Sequence, residues 1–103
     1  MKIIESKEEY SEVLNSNEYV FVDFYADWCG PCKMVGPVVE KLSQSNTDVH
    51  FVKVNVDHVP EVAQMYGIMS IPTLIVLKNG EPVSKQVGFA SESDLQELIN
   101  KAK

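Results

Sequence analysis

The chain has 103 residues, 45% of them hydrophobic, and a formal net charge of -6. That length suits one domain with a core that needs no disulfide staples, and the apolar fraction excludes a disordered chain. The acidity, without any basic cluster or stripe, argues against a nucleic-acid or anionic-membrane surface, and no apolar run reaches membrane-spanning length.

A short strand is expected near Lys2 to Ile4. Ser6-Lys7-Glu8-Glu9 has the form of a capping box, and Tyr10, Val13 and Leu14 give the helix behind it an apolar stripe. The run Val20 to Tyr25 is the strongest strand signal. Trp28-Cys29-Gly30-Pro31-Cys32 follows it directly, and Val35, Val38, Val39 and Leu42 then keep helical spacing. Pro37 falls inside that helix and predicts a kink. His50 to Val56 alternates, with Val52, Val54 and Val56 on one face, and reads as a strand. Pro60 to Tyr66 reads as a short helix, opened by Pro60 and closed by Gly67. Thr73 to Leu77 is a further strand. Asn79-Gly80 signals a hairpin turn, so Pro82 to Val87 is expected to run antiparallel to it. Ser91-Glu92-Ser93-Asp94 caps a last helix carried by Leu95, Leu98, Ile99 and Ala102. The order β-α-β-α-β-α-β-β-α predicts an α/β fold: a central mixed sheet with helices on both faces. No coiled-coil stripe is left over, so a monomer is expected.

Cys29 and Cys32 are the only cysteines, and they fall at a strand-to-helix junction. A zinc site normally needs four ligands, and only His50 and His58 stand available to complete one. An iron–sulfur cluster needs more cysteines. Covalent haem needs a histidine where Lys33 stands, and a structural disulfide closing so small a loop restrains little chain entropy. Redox exchange is the reading that remains, because the pair lies in a βαβ context. A helix N-terminus favours the thiolate, which is the attacking species, and a second close thiol resolves the mixed disulfide. No metal is implied. The chain has no G-x-G-x-x-G run, so it is not expected to bind a nicotinamide or flavin itself.

Asp23 interrupts a continuous apolar strand. Desolvation there raises a carboxyl pKa and suits proton transfer near neutrality; the alternative is a hydrogen-bonded structural Asp. Strand alternation places Asp23 with Phe21 and Tyr25 on one face. Lys53 interrupts the next strand, and would reach the Asp23 carboxylate if the two strands are neighbours; otherwise it is a solvated, snorkelling lysine. Pro72, just before a strand, is either an ordinary trans turn residue or a cis one. Trp28 is either a core aromatic or, beside a thiol on a loop, a partner-contact residue. The opening segment Met1 to Glu9 lacks the long apolar stretch of a signal peptide, so a cytoplasmic protein is expected. In a reducing cytosol a close cysteine pair is catalytic or metal-binding more often than structural.

These residues together resemble the thioredoxin family. Val22-Asp23-Phe24-Tyr25-Ala26-Asp27-Trp28-Cys29-Gly30-Pro31-Cys32-Lys33 is similar to its active-site segment. Tyr66-Gly67-Ile68 with Ser70-Ile71-Pro72-Thr73-Leu74 is similar to its second signature, and Lys78-Asn79-Gly80 and Val87-Gly88 to its hairpin and third active-site loop. The resemblance spans essentially the whole chain. It implies one domain over residues 1–103 with a five-stranded mixed sheet flanked by four helices. It implies that Cys29 is an exposed nucleophile and Cys32 a buried resolving thiol. It gives Asp23 a role in proton transfer with Cys32, through water and tuned by Lys53. Pro72 is implied to be cis against the cysteines. Trp28, Gly30, Pro31, Ile71, Gly88 and Phe89 are implied to form a flat apolar docking surface, with the Ile71 backbone pairing to an extended substrate. The implied activity is protein-disulfide reduction. The Cys29–Cys32 disulfide is then restored by a thioredoxin reductase carrying electrons from NADPH. Peroxiredoxins, methionine sulfoxide reductases and ribonucleotide reductase are the implied kinds of target. Tyr25 departs from a tryptophan common in the family, Ser70 from a common glycine, and Phe89 adds bulk beside Gly88. A disulfide oxidant or isomerase on the same fold, and a non-catalytic scaffold, are the competing functions.

Overall fold

The computed structural model describes residues 1–103. In chain order the elements are β1 (Lys2–Ile4), α1 (Lys7–Ser16), β2 (Tyr19–Tyr25), α2 (Gly30–Ser45), β3 (His50–Asn55), α3 (Pro60–Met65), β4 (Thr73–Lys78), β5 (Glu81–Val87) and α4 (Glu92–Ala102). Local chemistry accounts for most of these boundaries. The Ser6 hydroxyl accepts the Glu9 N–H and opens α1. Glu9 reaches back to the Glu5 N–H, one residue before the cap, rather than to the cap itself. Ser91 caps α4 in the same way through the Asp94 N–H. Asn79 and Gly80 both have positive φ, 51° and 81°, as a type I′ hairpin turn requires. The helix α2 continues through Pro37 as one element.

The strand order is β1-β3-β2-β4-β5. β3 pairs parallel with β1 and β2, while β4 runs antiparallel to β2 and β5 to β4. β2 is therefore central and buried on both faces, which is why it reads as a nearly unbroken apolar run. Its alternate side chains enter different cores. Val20, Val22 and Phe24 join Tyr10, Val13 and Val62 from α1 and α3 on one face. Phe21 joins Val35, Val39, Leu95 and Ile99 from α2 and α4 on the other, where its ring stacks on Phe51 with centroids 4.8 Å apart. Val56 lies just beyond the end of β3, so the alternating pattern of the third strand outruns the strand by one residue.

This topology decides where chemistry can sit. β2 and β3 are parallel, so their C-terminal ends reach the same edge of the sheet. α2 begins there, five residues after β2. β4 is antiparallel to β2, so it starts at that edge too, with Thr73 beside Phe24.

Candidate active site

At that edge the turn after β2 brings Cys29 to the N-cap of α2. The Cys29 N–H donates to the Ala26 carbonyl at 3.2 Å, and the Lys33 N–H donates to the Cys29 carbonyl at 3.3 Å. Pro31 occupies the first turn, where its missing N–H leaves nothing unsatisfied. Cys29 and Cys32 are joined by a disulfide, with Cα atoms 5.3 Å apart. The Cys32 N–H donates to Cys29 Sγ at 3.2 Å. That sulfur thus receives a free helix N–H and sits at the positive end of a 16-residue helix, an arrangement that stabilises a thiolate when the disulfide opens.

Exposure does not separate the two cysteines as the family resemblance implies: as residues, Cys29 is 4% exposed and Cys32 6%. Both pack with Ala26 under Tyr25, Val56 and Ile71, because the turn after β2 folds its cysteines inward against the loop before β4. Direction separates them instead. Cys29 Sγ lies 3.8 Å from the Ile71 carbonyl oxygen. Cys32 lines a cleft of about 600 Å³ on the other side, whose walls include Asp23, Tyr25, Asp27, Glu40 and Lys53.

Asp23 is buried, 1% exposed, and its Oδ1 has no hydrogen-bond partner. Burial pushes its carboxyl from an ordinary 3.8 up to about 6, against the opposing pull of the Lys53 charge. Lys53 is its register partner across β2 and β3, so the two strands are neighbours. Yet the two groups form no ion pair. The Lys53 ammonium stands over the Tyr25 ring, 4.4 Å from its centroid.

The loop before β4 carries a cis Ile71-Pro72 bond, the alternative that residue pattern left open. Neither the N–H nor the C=O of Ile71 is taken by another backbone group. The Gly88 N–H, at φ 88°, donates to the Pro72 carbonyl at 2.8 Å and ties the loop after β5 to this one. Trp28 is 71% exposed and Phe89 47%, with Gly30 and Pro31 exposed between the cysteines.

Three participants escape the motif reading. The Asp57 carboxylate accepts the Trp28 indole N–H at 2.9 Å. Asn55 accepts the Asp57 N–H at 2.9 Å and donates to Asp27 at 3.4 Å. The Val56 N–H donates to the Tyr25 carbonyl. Parallel pairing of Asp23 with Lys53 was the available signal, since it places residues after Asn55 beside residues after Tyr25.

A disulfide capping a helix, beside an unpaired buried carboxylate and a loop with free backbone groups, defines a thiol–disulfide oxidoreductase site. The thioredoxin family model matches residues 1–101. Thioredoxin of Bacillus subtilis is 48% identical over 102 residues, covering 98% of each chain. That of Mycoplasmoides gallisepticum is 46% identical, covering 96% of this chain and 99% of the relative. The solved structure of Plasmodium falciparum thioredoxin superposes with a TM-score of 0.92 at 44% identity, covering both chains completely. The chain belongs to the thioredoxin family and has its fold. It is a disulfide oxidoreductase that works by dithiol–disulfide exchange at its Cys29–Cys32 pair. No helix is long and apolar enough to cross a membrane.

Proposed function

We propose that residues 1–103 act as one domain that reduces disulfides in other proteins, with Cys29 attacking and Cys32 resolving. The observation that carries this assignment is directional: Cys29 Sγ faces the unpaired Ile71 backbone, whereas Cys32 shares a cleft with Asp23. A target docks on Trp28, Gly30, Pro31, Ile71, Gly88 and Phe89. An extended segment of it pairs with the Ile71 N–H and C=O as an added strand. The Cys29 thiolate attacks one target sulfur, and the other leaves as a thiolate that takes up a proton. Cys32 then gives its proton to Asp23 and attacks Cys29 Sγ. The second target sulfur leaves and is protonated in turn. Two electrons and two protons have passed to the target, and the Cys29–Cys32 disulfide remains.

Asp23 suits the proton step because its carboxyl titrates about 6, close to working pH. Lys53 tunes it by charge. Pro72 and its carbonyl hold the docking loops together through Gly88. Re-reduction falls to a separate thioredoxin reductase carrying electrons from NADPH. The setting is the cytoplasm, and the targets are accessible protein disulfides, with peroxiredoxins and methionine sulfoxide reductases as the expected kinds. No resident cofactor takes part.

The test is trapping. Cys32→Ser, offered protein disulfides, is expected to accumulate covalent adducts that dithiothreitol releases, and Cys29→Ser to form none. Adducts formed by Cys29→Ser and not by Cys32→Ser would reverse the assignment.

A further inference from the structure

We propose that Tyr25 is a positioning residue for the exchange reaction: its ring holds the Lys53 ammonium off the Asp23 carboxylate. This rests on the reading of Asp23 as the proton acceptor of Cys32. The starting observation is a missing ion pair. Lys53 and Asp23 are register partners on adjacent parallel strands, the placement in which a lysine and a carboxylate ordinarily meet. No Lys53 nitrogen comes within 4.0 Å of an Asp23 oxygen, and Asp23 Oδ1 is left with no partner at all.

The ammonium has another seat. Tyr25 is two residues beyond Asp23 on β2, so both side chains leave the same face of the sheet. Its ring lies under Lys53 Nζ at 4.4 Å, well within the range in which an aromatic face attracts a cation. Tyr25 and Lys53 are both half-buried, at the rim of the cleft that Asp23 and Cys32 share. The ring therefore competes with the carboxylate for one cation. The other titratable residues on this cleft are Met1, Asp27 after β2, and Lys33 and Glu40 on α2; Cys32 is held in the disulfide. The register positions flanking the pair add no charge: Leu74 of β4 lies beside Asp23, and Ile3 of β1 beside Lys53.

The consequence is chemical. A carboxylate locked to an ammonium has little affinity for a proton, and would be a poor acceptor for the Cys32 thiol. With the ammonium seated on the ring, Asp23 keeps its proton affinity while the Lys53 charge stays close enough to limit the rise. Tyr25 therefore bears on chemistry as well as packing.

The experiment follows the Asp23 carboxyl carbon by NMR through a pH titration of the disulfide form. Cys32 carries no proton there, so the result stands whatever Asp23 does for Cys32. Tyr25→Leu is expected to move the Asp23 midpoint about one pH unit lower, as Lys53 turns to the carboxylate. Tyr25→Trp, which keeps an aromatic face, is expected to hold it in place. Lys53→Met alone is expected to raise the midpoint, and in that background Tyr25→Leu is expected to cause no fall. An unmoved midpoint in Tyr25→Leu would overturn the proposal. So would an equal fall in the Lys53→Met background, which would mean that the ring only shields Asp23 from water. The pH profile of mixed-disulfide resolution is measured alongside. If the NMR midpoint falls and that profile stays fixed, Tyr25 still positions Lys53, and the acceptor role of Asp23 is what fails.

Discussion

Replacing Asp23 by asparagine should make the protein more stable at pH 8 and leave it no more stable at pH 4. The folded protein holds the Asp23 proton up to about 6, whereas the ordinary value is 3.8. Between those values the folded state binds more protons than the unfolded chain, so stability falls as pH rises. Below the lower value both states are protonated and the penalty is absent; above the upper value it is complete. The gap corresponds to about 3 kcal/mol at ~1.4 kcal/mol per pH unit. Asparagine cannot ionise and escapes this cost. Its amide, in a site where Oδ1 has no partner, brings an opposing and pH-independent loss of about 1 kcal/mol. The net expectation is a variant about 2 kcal/mol more stable above pH 7 and about 0.5 kcal/mol less stable near pH 4, where the penalty has begun to appear. Urea unfolding of the disulfide form, followed by circular dichroism from pH 4 to 8, reads this directly. With a slope of about 1–1.5 kcal/mol per molar, the midpoint gains roughly 1–2 M at the alkaline end. A stability difference that stays constant across that range would refute the reasoning, since it would show that burial does not raise the Asp23 carboxyl.

The remaining expectations concern the sulfur pair, the docking face and the core. Equilibration in defined thiol buffers should give the Cys29–Cys32 pair a reduction potential of about -220 mV or lower, at or below the glutathione poise; a markedly more oxidising value would favour an oxidant or isomerase. Asp57→Ala removes the acceptor of the exposed Trp28 indole. It should raise KM for protein disulfides several-fold and leave stability within about 0.5 kcal/mol, with an unchanged KM counting against Trp28 as a docking residue. Phe21 is fully buried and stacked on Phe51, so Phe21→Ala should cost about 3–5 kcal/mol in denaturant unfolding. A loss below about 1 kcal/mol would mean that the face under α2 and α4 collapses easily around the gap.

In the disulfide form Cys29 Sγ lies next to the Cys32 N–H at the start of α2, and the loops carrying Ile71 and Gly88 are joined by the Pro72 carbonyl. The proposed docking face draws on three loops, two of which that backbone bond joins. The Ser70 carbonyl accepts the Thr73 hydroxyl, a bond that needs its backbone alone.

Every element was legible in the residues, because what starts and stops an element acts within a turn of the chain. Serine caps, Pro60, the Asn79-Gly80 turn and the alternation of β2 and β3 are local facts, and so is the placing of two cysteines at the start of α2. Asp23 was legible for a related reason: a charge inside an apolar run has few explanations. Only the tertiary structure decided the rest. It chose the cis form of Ile71-Pro72. It buried Cys29 as deeply as Cys32, seated Lys53 on Tyr25 rather than on Asp23, and joined Trp28 to Asp57. Each of these turns on which surfaces meet across the sheet edge. Two groups far apart in the chain compete there for one partner by distance and burial, and neither quantity exists until the strands are side by side.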